Sequence, residues 1–260
     1  MKIIKFKKIS NDKYKLYLDN GDVISLFEEV IVKNNLLIRN SISDDEIENL
    51  INQNNEFDVY HMAIKYIAVR MRSKLELKNY LIKKQVSEKL VNSTIDRLLK
   101  EGYLNDLLFT KAFISDQVNL SPNGPLKIKK ELLKHGVEEE LCKSETSKID
   151  EGLIKEKLSK LLKKQLRIKT GGSNLVRIKL LNYFVNLGYE KSMILNELSK
   201  VCIKTDDRKL KRDYEKLYNK YKDKYDKNKL DYVLSSKLYL KGYTKEEVNN
   251  VINSKQKNGS

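Results

Sequence analysis

The chain has 260 residues, of which 40% are hydrophobic and 34% are charged. No apolar run approaches the ~20 residues of a membrane-spanning helix, and charged residues interrupt the amino terminus too soon for a signal peptide, so we expect a cytoplasmic protein. Its two cysteines, Cys142 and Cys202, are too few and too far apart to indicate a disulfide framework or a metal cluster, and we expect two free, buried thiols. With only two Pro and ten Gly, helix is the expected main element.

The net charge of +16 is unevenly distributed along the chain. Residues 1–150 carry 25 basic and 23 acidic residues, a surplus of +2, whereas residues 151–260 carry 27 and 13, a surplus of +14. A surplus confined to one part indicates a polyanionic partner there, such as nucleic acid or a nucleoprotein. A codon bias towards lysine would also raise this count.

The first 55 residues are predicted to form a small β-hairpin extension followed by short helices. Residues 13–18 alternate polar and apolar, and Asn20-Gly21 favours a tight turn into a second strand at residues 23–27, to which residues 3–6 could add a third. An isolated hairpin is marginal, so it should pack on the helices. Residues 28–40 predict one helix, and Ser43 with Glu46 predicts a capping box that opens another, ending near Asn54.

The rest of the chain repeats one apolar pattern four times. The pivots of the pattern are Gln85, Gly136, Gly188 and Gly242, spaced by 51, 52 and 54 residues. Apolar or aromatic residues stand eight, four and three positions before each pivot and one position after it. This predicts a helix with one apolar face that ends in a turn, within stacked three-helix units. Gln85 in place of glycine predicts a helix end without a positive φ.

The resulting fold class is mainly α, with about four tandem three-helix-bundle repeats in an elongated, curved array behind the hairpin. The predicted domains are residues 1–55 for the extension, 56–105, 106–149, 150–203 and 204–253 for the repeats, and 254–260 for a disordered tail.

No catalytic constellation is present in the sequence. His61 and His135 lie in different repeats without metal-ligand spacing, and Gly171-Gly172 lacks the Lys-Ser/Thr of a phosphate-binding loop. We therefore predict that the protein is not an enzyme and has no metal or cofactor site.

The strongest functional signal is basic and lies in the third repeat. Between Gly152 and Leu180 there are nine basic residues and one acidic residue, Glu156. Four of the basic residues have the spacing of one helix face, and three more follow: Lys160, Lys163, Lys164 and Arg167, then Lys169, Arg177 and Lys179. Either this is a solvated lysine-rich face, or it binds phosphates or carboxylates, which the scarcity of acids favours.

Three motifs together resemble the RecX regulatory proteins, over residues 63–137 and more weakly to about residue 200. They are Arg70-x-Arg72-Ser73-x-x-Glu76-Leu77-x-x-x-Leu81, Leu98-x-x-x-Gly102-Tyr103-Leu104-Asn105-Asp106-x-x-Phe109 and Gly124-x-x-x-Ile128-x-x-x-Leu132-x-x-x-Gly136. The hairpin and fourth repeat resemble the longer form of low-GC Gram-positive bacteria. Gln85 departs from the glycine of the other pivots.

The resemblance implies a non-enzymatic modulator, usually an inhibitor, of the RecA recombinase. Members of the family bind in the groove of the RecA–DNA filament and modulate ATP hydrolysis, strand exchange and co-protease activity. We expect a monomer that touches RecA, and DNA directly or through RecA. The main contacts would be the seven basic residues named above in the third repeat, and Arg70 and Arg72 would be secondary. The alternative is a general DNA-binding helical module that acts without RecA.

Overall fold

The computed structural model describes residues 1–257. The chain divides into two compact units, one made of Met1–Thr110 with Lys134–Glu138, the other of Lys111–Leu133 with the chain from Glu139 onward. The part described is mainly helical, with thirteen α-helices and one small sheet. The predicted fold class, a helical-repeat protein with an N-terminal β extension, is therefore confirmed.

The amino-terminal sheet has three antiparallel strands in the order β1-β2-β3: Ile3–Lys8, Lys13–Leu18 and Val23–Phe27. The optional third strand of the sequence prediction is therefore present. Gly21, with φ of 91°, turns the chain between β2 and β3, as the Asn-Gly pair predicts. Apolar side chains from one face of the sheet pack with Val30, Ile31 and Leu50 of the following helices, and this packing stabilises the hairpin.

The helices after the sheet differ from the prediction in their lengths. Residues 28–40 form helix α1, Glu28–Lys33, and a separate 3-10 turn at Leu36–Ile38, because Asn35 between them has a φ of 53°. The capping box of Ser43 and Glu46 is present and opens α2, Asp44–Val69. The predicted end near Asn54 is wrong: with no Gly or Pro in this span, α2 continues into the first repeat.

Each repeat contributes three helices, with α2 as the first helix of repeat one. The remaining bounds are α3 Lys74–Lys83 and α4 Glu88–Lys100; α5 Asp106–Leu120, α6 Pro125–Lys134 and α7 Glu139–Thr146; α8 Glu151–Ile168, α9 Ser173–Asn186 and α10 Lys191–Ser199; α11 Asp207–Tyr221, α12 Lys227–Leu240 and α13 Lys245–Lys257. The residues that prediction assigned to a disordered tail are thus helical as far as Lys257, and residues 258–260 lie outside the described part.

The apolar pattern before the pivots is buried at two of its three helical positions. The residues eight and four before each pivot are fully buried: Leu77, Ile128, Leu180, Leu234, Leu81, Leu132, Phe184 and Leu238. Those three before are 41–50% exposed, contrary to prediction: Ile82, Leu133, Val185 and Tyr239. Positions −8 and −4 are one helical turn apart and share the core stripe, whereas −3 is rotated about 100° from −4 towards solvent.

All four pivots adopt a left-handed conformation. Gly136, Gly188 and Gly242 have φ of 77°, 83° and 84°, and Gln85 has a φ of 61°. The prediction that the chain ends the first of these helices without a positive φ is therefore wrong. The Gln85 amide donates to the carbonyl of Ile82, and Val86 donates to Leu81, so the turn closes as at the glycines.

The glycine pivots also join neighbouring repeats. The amides of Gly124 and Leu126, at the start of α6, donate to the carbonyls of Leu187 and Gly188 over 2.7 and 3.0 Å. The amide of Asn174, at the start of α9, donates to the carbonyl of Gly242 over 3.0 Å. These contacts satisfy free amides at one helix start with free carbonyls at another helix end, and they bring complementary helix dipoles together.

The first unit contains the same kind of junction. The hydroxyl of Ser73, at the start of α3, donates to the carbonyl of His135 over 2.6 Å, and Leu75 packs against Gly136. Gln85 itself is exposed, so no neighbouring helix requires a glycine there. The pattern of three glycines and one glutamine follows from which pivots receive a neighbouring helix.

Neither Cys142 nor Cys202 is in a disulfide, and only Cys142 is buried. Cys202 is exposed, which corrects the expectation of two buried thiols. It lies outside the regular helices, between α10 and α11, and therefore has no helix stripe to bury it.

Candidate functional site

Helix α8 positions most of the basic residues of the third repeat. Its first turn is capped by Asp150, whose carboxylate accepts hydrogen bonds from the backbone amides of Gly152 and Leu153 over 2.6 and 3.1 Å. Its buried stripe consists of Ile154, Leu158 and Leu162, spaced by four residues. This stripe fixes the rotation of the helix and therefore decides which residues face solvent.

Four basic residues occupy the face opposite the buried stripe. At about 100° per residue, Lys160, Lys163, Lys164 and Arg167 lie roughly 140–240° around the helix from Leu158. All four are exposed. We call these four residues the α8 basic face. The spacing read from the sequence therefore corresponds to one solvent-facing strip.

The residues of the α8 basic face differ in how far their charge is compensated. The ammonium group of Lys160 lies 2.5 Å from the Glu156 carboxylate, and this hydrogen bond lowers the pKa of Glu156. Within the described residues no ion pair is recorded for Lys163, Lys164 or Arg167. The uncompensated charge is concentrated in the last two turns of α8, where cations also interact favourably with the helix dipole.

The three other predicted contacts in this repeat do not extend the α8 basic face as one surface. Lys169 follows the end of α8, and its ammonium group lies 5.7 Å from the ring centre of Tyr183. Arg177 and Lys179 are exposed on α9. Because they are two positions apart on a helix, they project about 160° away from each other. Only one of them can point to any given side.

A groove beside α8 contains a residue that the sequence analysis did not single out. Its volume is about 570 Å³, and its walls include residues 118–122, Lys160, Lys164 and Tyr183. The half-buried Lys157 lies in this groove and donates to the carbonyls of Gln117 and Asn123, each over 3.1 Å. Burial lowers the pKa of Lys157. Since it is committed to these carbonyls, Lys157 stabilises the repeat, and no sequence signal distinguished it from its exposed neighbours.

Arg70 and Arg72, the predicted secondary contacts, are engaged within the first unit. The guanidinium of Arg70 donates to both Glu76 carboxylate oxygens, over 2.8 and 3.3 Å. The guanidinium of Arg72 lies 4.2 Å from the ring centre of Tyr66, which stacks on Tyr80 with centroids 3.9 Å apart. Both side chains therefore organise the start of α3 and its neighbourhood.

Glu76 joins several of these interactions. Its carboxylate accepts from the Ser73 amide as part of a capping box and lies 3.3 Å from Nδ1 of His135. Burial raises the pKa of Glu76, but the Arg70 guanidinium, the Ser73 amide and His135 outweigh it and hold the pKa below its usual range. The histidine thus has a structural place, packed edge-on against Phe109.

None of the helices in residues 1–257 combines the length and the apolar character needed to cross a bilayer. Within the same part, no three His, Cys, Asp or Glu side chains are grouped as a metal ion would require.

Comparison with known proteins identifies relatives of the chain. Residues 60–98 match the model of the first three-helix domain of RecX, and residues 105–144 match the second. Curated relatives called regulatory protein RecX from Bacillus cereus and Bacillus cytotoxicus are 28% and 27% identical, and each alignment covers 98% of both chains.

Solved structures agree with this comparison at the level of fold. A crystal structure of regulatory protein RecX aligns with a TM-score of 0.65 and 18% identity, over 74% of this chain and 96% of the other. RecX from Lactobacillus salivarius aligns with a TM-score of 0.53 and 20% identity, over 56% of this chain and 96% of the other.

Proposed function

The chain belongs to the RecX family of regulatory proteins, and we propose that it acts by binding a RecA filament on DNA and inhibiting it. Binding in the filament groove would reduce ATP hydrolysis, strand exchange and co-protease activity. In this proposal the protein works as a cytoplasmic monomer without catalytic chemistry of its own.

The observation that carries the proposal is the charge on α8. Lys163, Lys164 and Arg167 form a solvent-facing strip opposite the buried stripe, and no ion pair is recorded for them within the described residues. Such a strip attracts carboxylates of a protein surface or phosphates of DNA, and a RecA–DNA filament offers both. The family relationship supports the filament as partner over an unrelated polyanion.

The structure refines which residues to test. Lys160 already forms an ion pair with Glu156, so replacing Lys160 by Glu would also break this ion pair within the protein. We expect a variant with Lys163→Glu, Lys164→Glu and Arg167→Glu to lose at least about tenfold in apparent affinity for the RecA filament, measured as inhibition of single-strand-dependent ATP hydrolysis. Circular dichroism should remain that of the unchanged protein because all three side chains face solvent.

A matched control has the same change in net charge on a different helix. Lys211, Arg212 and Lys216 are exposed on α11, whose sequence mixes basic and acidic residues. Their reversal to Glu should change the inhibition by no more than about twofold. If the two triple variants inhibit equally well, the α8 basic face is not the contact. If the unchanged protein does not affect the ATPase at all, the proposed function itself is wrong.

A further inference from the structure

The outer face of the amino-terminal sheet carries an unusual concentration of lysines. One face of the sheet packs into the core through Leu16, Leu18 and Leu26. On the other face, β1 and β2 place Lys7 directly opposite Lys15, and Lys5 opposite Tyr17. On the neighbouring strand β3, Ser25 lies beside Lys15 and Val23 lies beside Tyr17, so two rows of three residues cross the sheet. We call these six residues the sheet face.

The sheet face is open to solvent. Lys5, Lys7, Lys15, Val23 and Ser25 are exposed, and Tyr17 is half-buried. The ammonium group of Lys5 lies 5.0 Å from the ring centre of Tyr17. Residues two apart on one strand are roughly 7 Å apart and neighbouring strands about 5 Å apart, so the three ammonium groups stand on one small patch.

The pairing of Lys7 with Lys15 works against the stability of the sheet. Like charges directly opposite each other on neighbouring strands repel, and no ion pair is recorded for Lys5, Lys7 or Lys15 within the described residues. In contrast, Lys13, on the same strand, pairs with Asp58 at 3.0 Å. An anion on the patch would remove the repulsion.

Tyr17 decides which kind of anion fits best. A half-exposed aromatic ring among lysines is the arrangement with which proteins hold single-stranded nucleic acid, because bases stack on the ring while ammonium groups meet phosphates. An acidic peptide would use the lysines but gain little from the ring. The neighbouring Val23 and Ser25 leave room on the sheet beside it.

From this geometry we propose that the sheet face binds single-stranded nucleic acid through Lys5, Lys7, Lys15 and Tyr17, separately from the α8 basic face. The site lies within the first unit and needs no recombinase. Its test therefore uses the full-length protein alone, and its outcome is independent of the proposed regulatory function.

The test measures binding of a fluorescent oligothymidylate by anisotropy at several salt concentrations. We expect a variant with Lys5→Gln, Lys7→Gln and Lys15→Gln to bind about tenfold more weakly, with a salt slope reduced by about 2, since each phosphate contact on a single strand contributes about 0.7. Tyr17→Leu should weaken binding roughly fivefold or more with an unchanged salt slope, because it removes stacking and no charge.

The matched control replaces Lys33, Lys83 and Lys89, which are exposed on or beside helices of the same unit, by Gln. It has the same net charge as the sheet variant and should bind within about twofold of the unchanged protein. The melting temperature of the sheet variant should not fall below that of the unchanged protein, because the variant lacks the repulsion between Lys7 and Lys15. Equal losses in both triple variants, an unchanged salt slope in the sheet variant, or equal competition by polyglutamate would each overturn the assignment.

Discussion

Replacement of Gly188 by Ala tests whether the pivots join repeats as well as end helices. Gly188 has a φ of 83°, which costs an L-residue about 1–2 kcal/mol. A β-carbon there would also overlap the backbone nitrogen of Lys127 and lie 2.5 Å from its Cβ. The start of α6 would have to move, at about 1–3 kcal/mol for overpacking, and the hydrogen bonds from Gly124 and Leu126 would weaken, at about 0.5–1.5 kcal/mol each. We expect a total loss of about 3–8 kcal/mol in the free energy of unfolding.

Gly102 is the matched control for this variant. Its φ is 79°, but nothing lies within 4 Å of a β-carbon built there. Gly102→Ala should therefore cost only the conformational term, about 1–2 kcal/mol. Urea unfolding followed by circular dichroism, with hydrogen exchange to locate the loosened helices, measures both. Equal losses for the two variants, or exchange in Gly188→Ala that leaves α6 protected, would refute the junction.

Three further predictions concern single residues. Gln85→Gly should leave the free energy of unfolding, measured by urea titration, unchanged or raise it by up to about 1 kcal/mol. Glycine removes the steric cost of the left-handed conformation in the folded state, and this gain slightly exceeds the loss from the greater conformational entropy of glycine in the unfolded chain. Asp213→Asn should lower the free energy of unfolding by about 2 kcal/mol at pH 7. Burial raises the pKa of Asp213, but the hydrogen bonds from Lys241 and Tyr243 lower it by more, so the folded pKa lies below the ordinary value. Their stabilisation is therefore present above the unfolded pKa of about 3.9 and is lost as the pH falls through the folded pKa. The gap to the unchanged protein in urea titrations should therefore narrow below about pH 4, and a constant gap would contradict this. Arg72→Ala should lower the free energy of unfolding by about 1–2 kcal/mol, because the guanidinium stacks on Tyr66, while the inhibition of the RecA ATPase at saturating protein is retained. Lost inhibition with unchanged stability would instead favour a direct contact of Arg72 with RecA.

The helical repeats could be predicted because their signal is local. Residues eight and four before each pivot recur with the same chemistry, and a helix of 3.6 residues per turn brings such positions to one side whatever its neighbours are. The hairpin was predictable for a similar reason, since Asn20-Gly21 favours its own turn. The extent of α2 was not predicted. The absence of Gly and Pro permits a helix past Asn54, but it does not require one, and α2 also packs on β3 and on α3 and α4.

The candidate site was predictable only as a helix face. The spacing of Lys160, Lys163, Lys164 and Arg167 was enough to place them together on α8. Spacing could not tell that Lys160 has an acid partner while Arg72 is committed to an aromatic ring. The sheet face was missed because its lysines are few, and the nearly neutral charge of residues 1–150 concealed them.

The sequence by itself determined the repeat, its apolar stripe and the places where the chain turns, since each depends on residues within two helical turns. Only the tertiary structure decided why three pivots are glycine and one is glutamine. Gly136, Gly188 and Gly242 lie against side chain or backbone at the start of another helix, where a β-carbon would collide, whereas Gln85 is exposed. Left-handed geometry tolerates a side chain at moderate cost, but close approach to another helix does not.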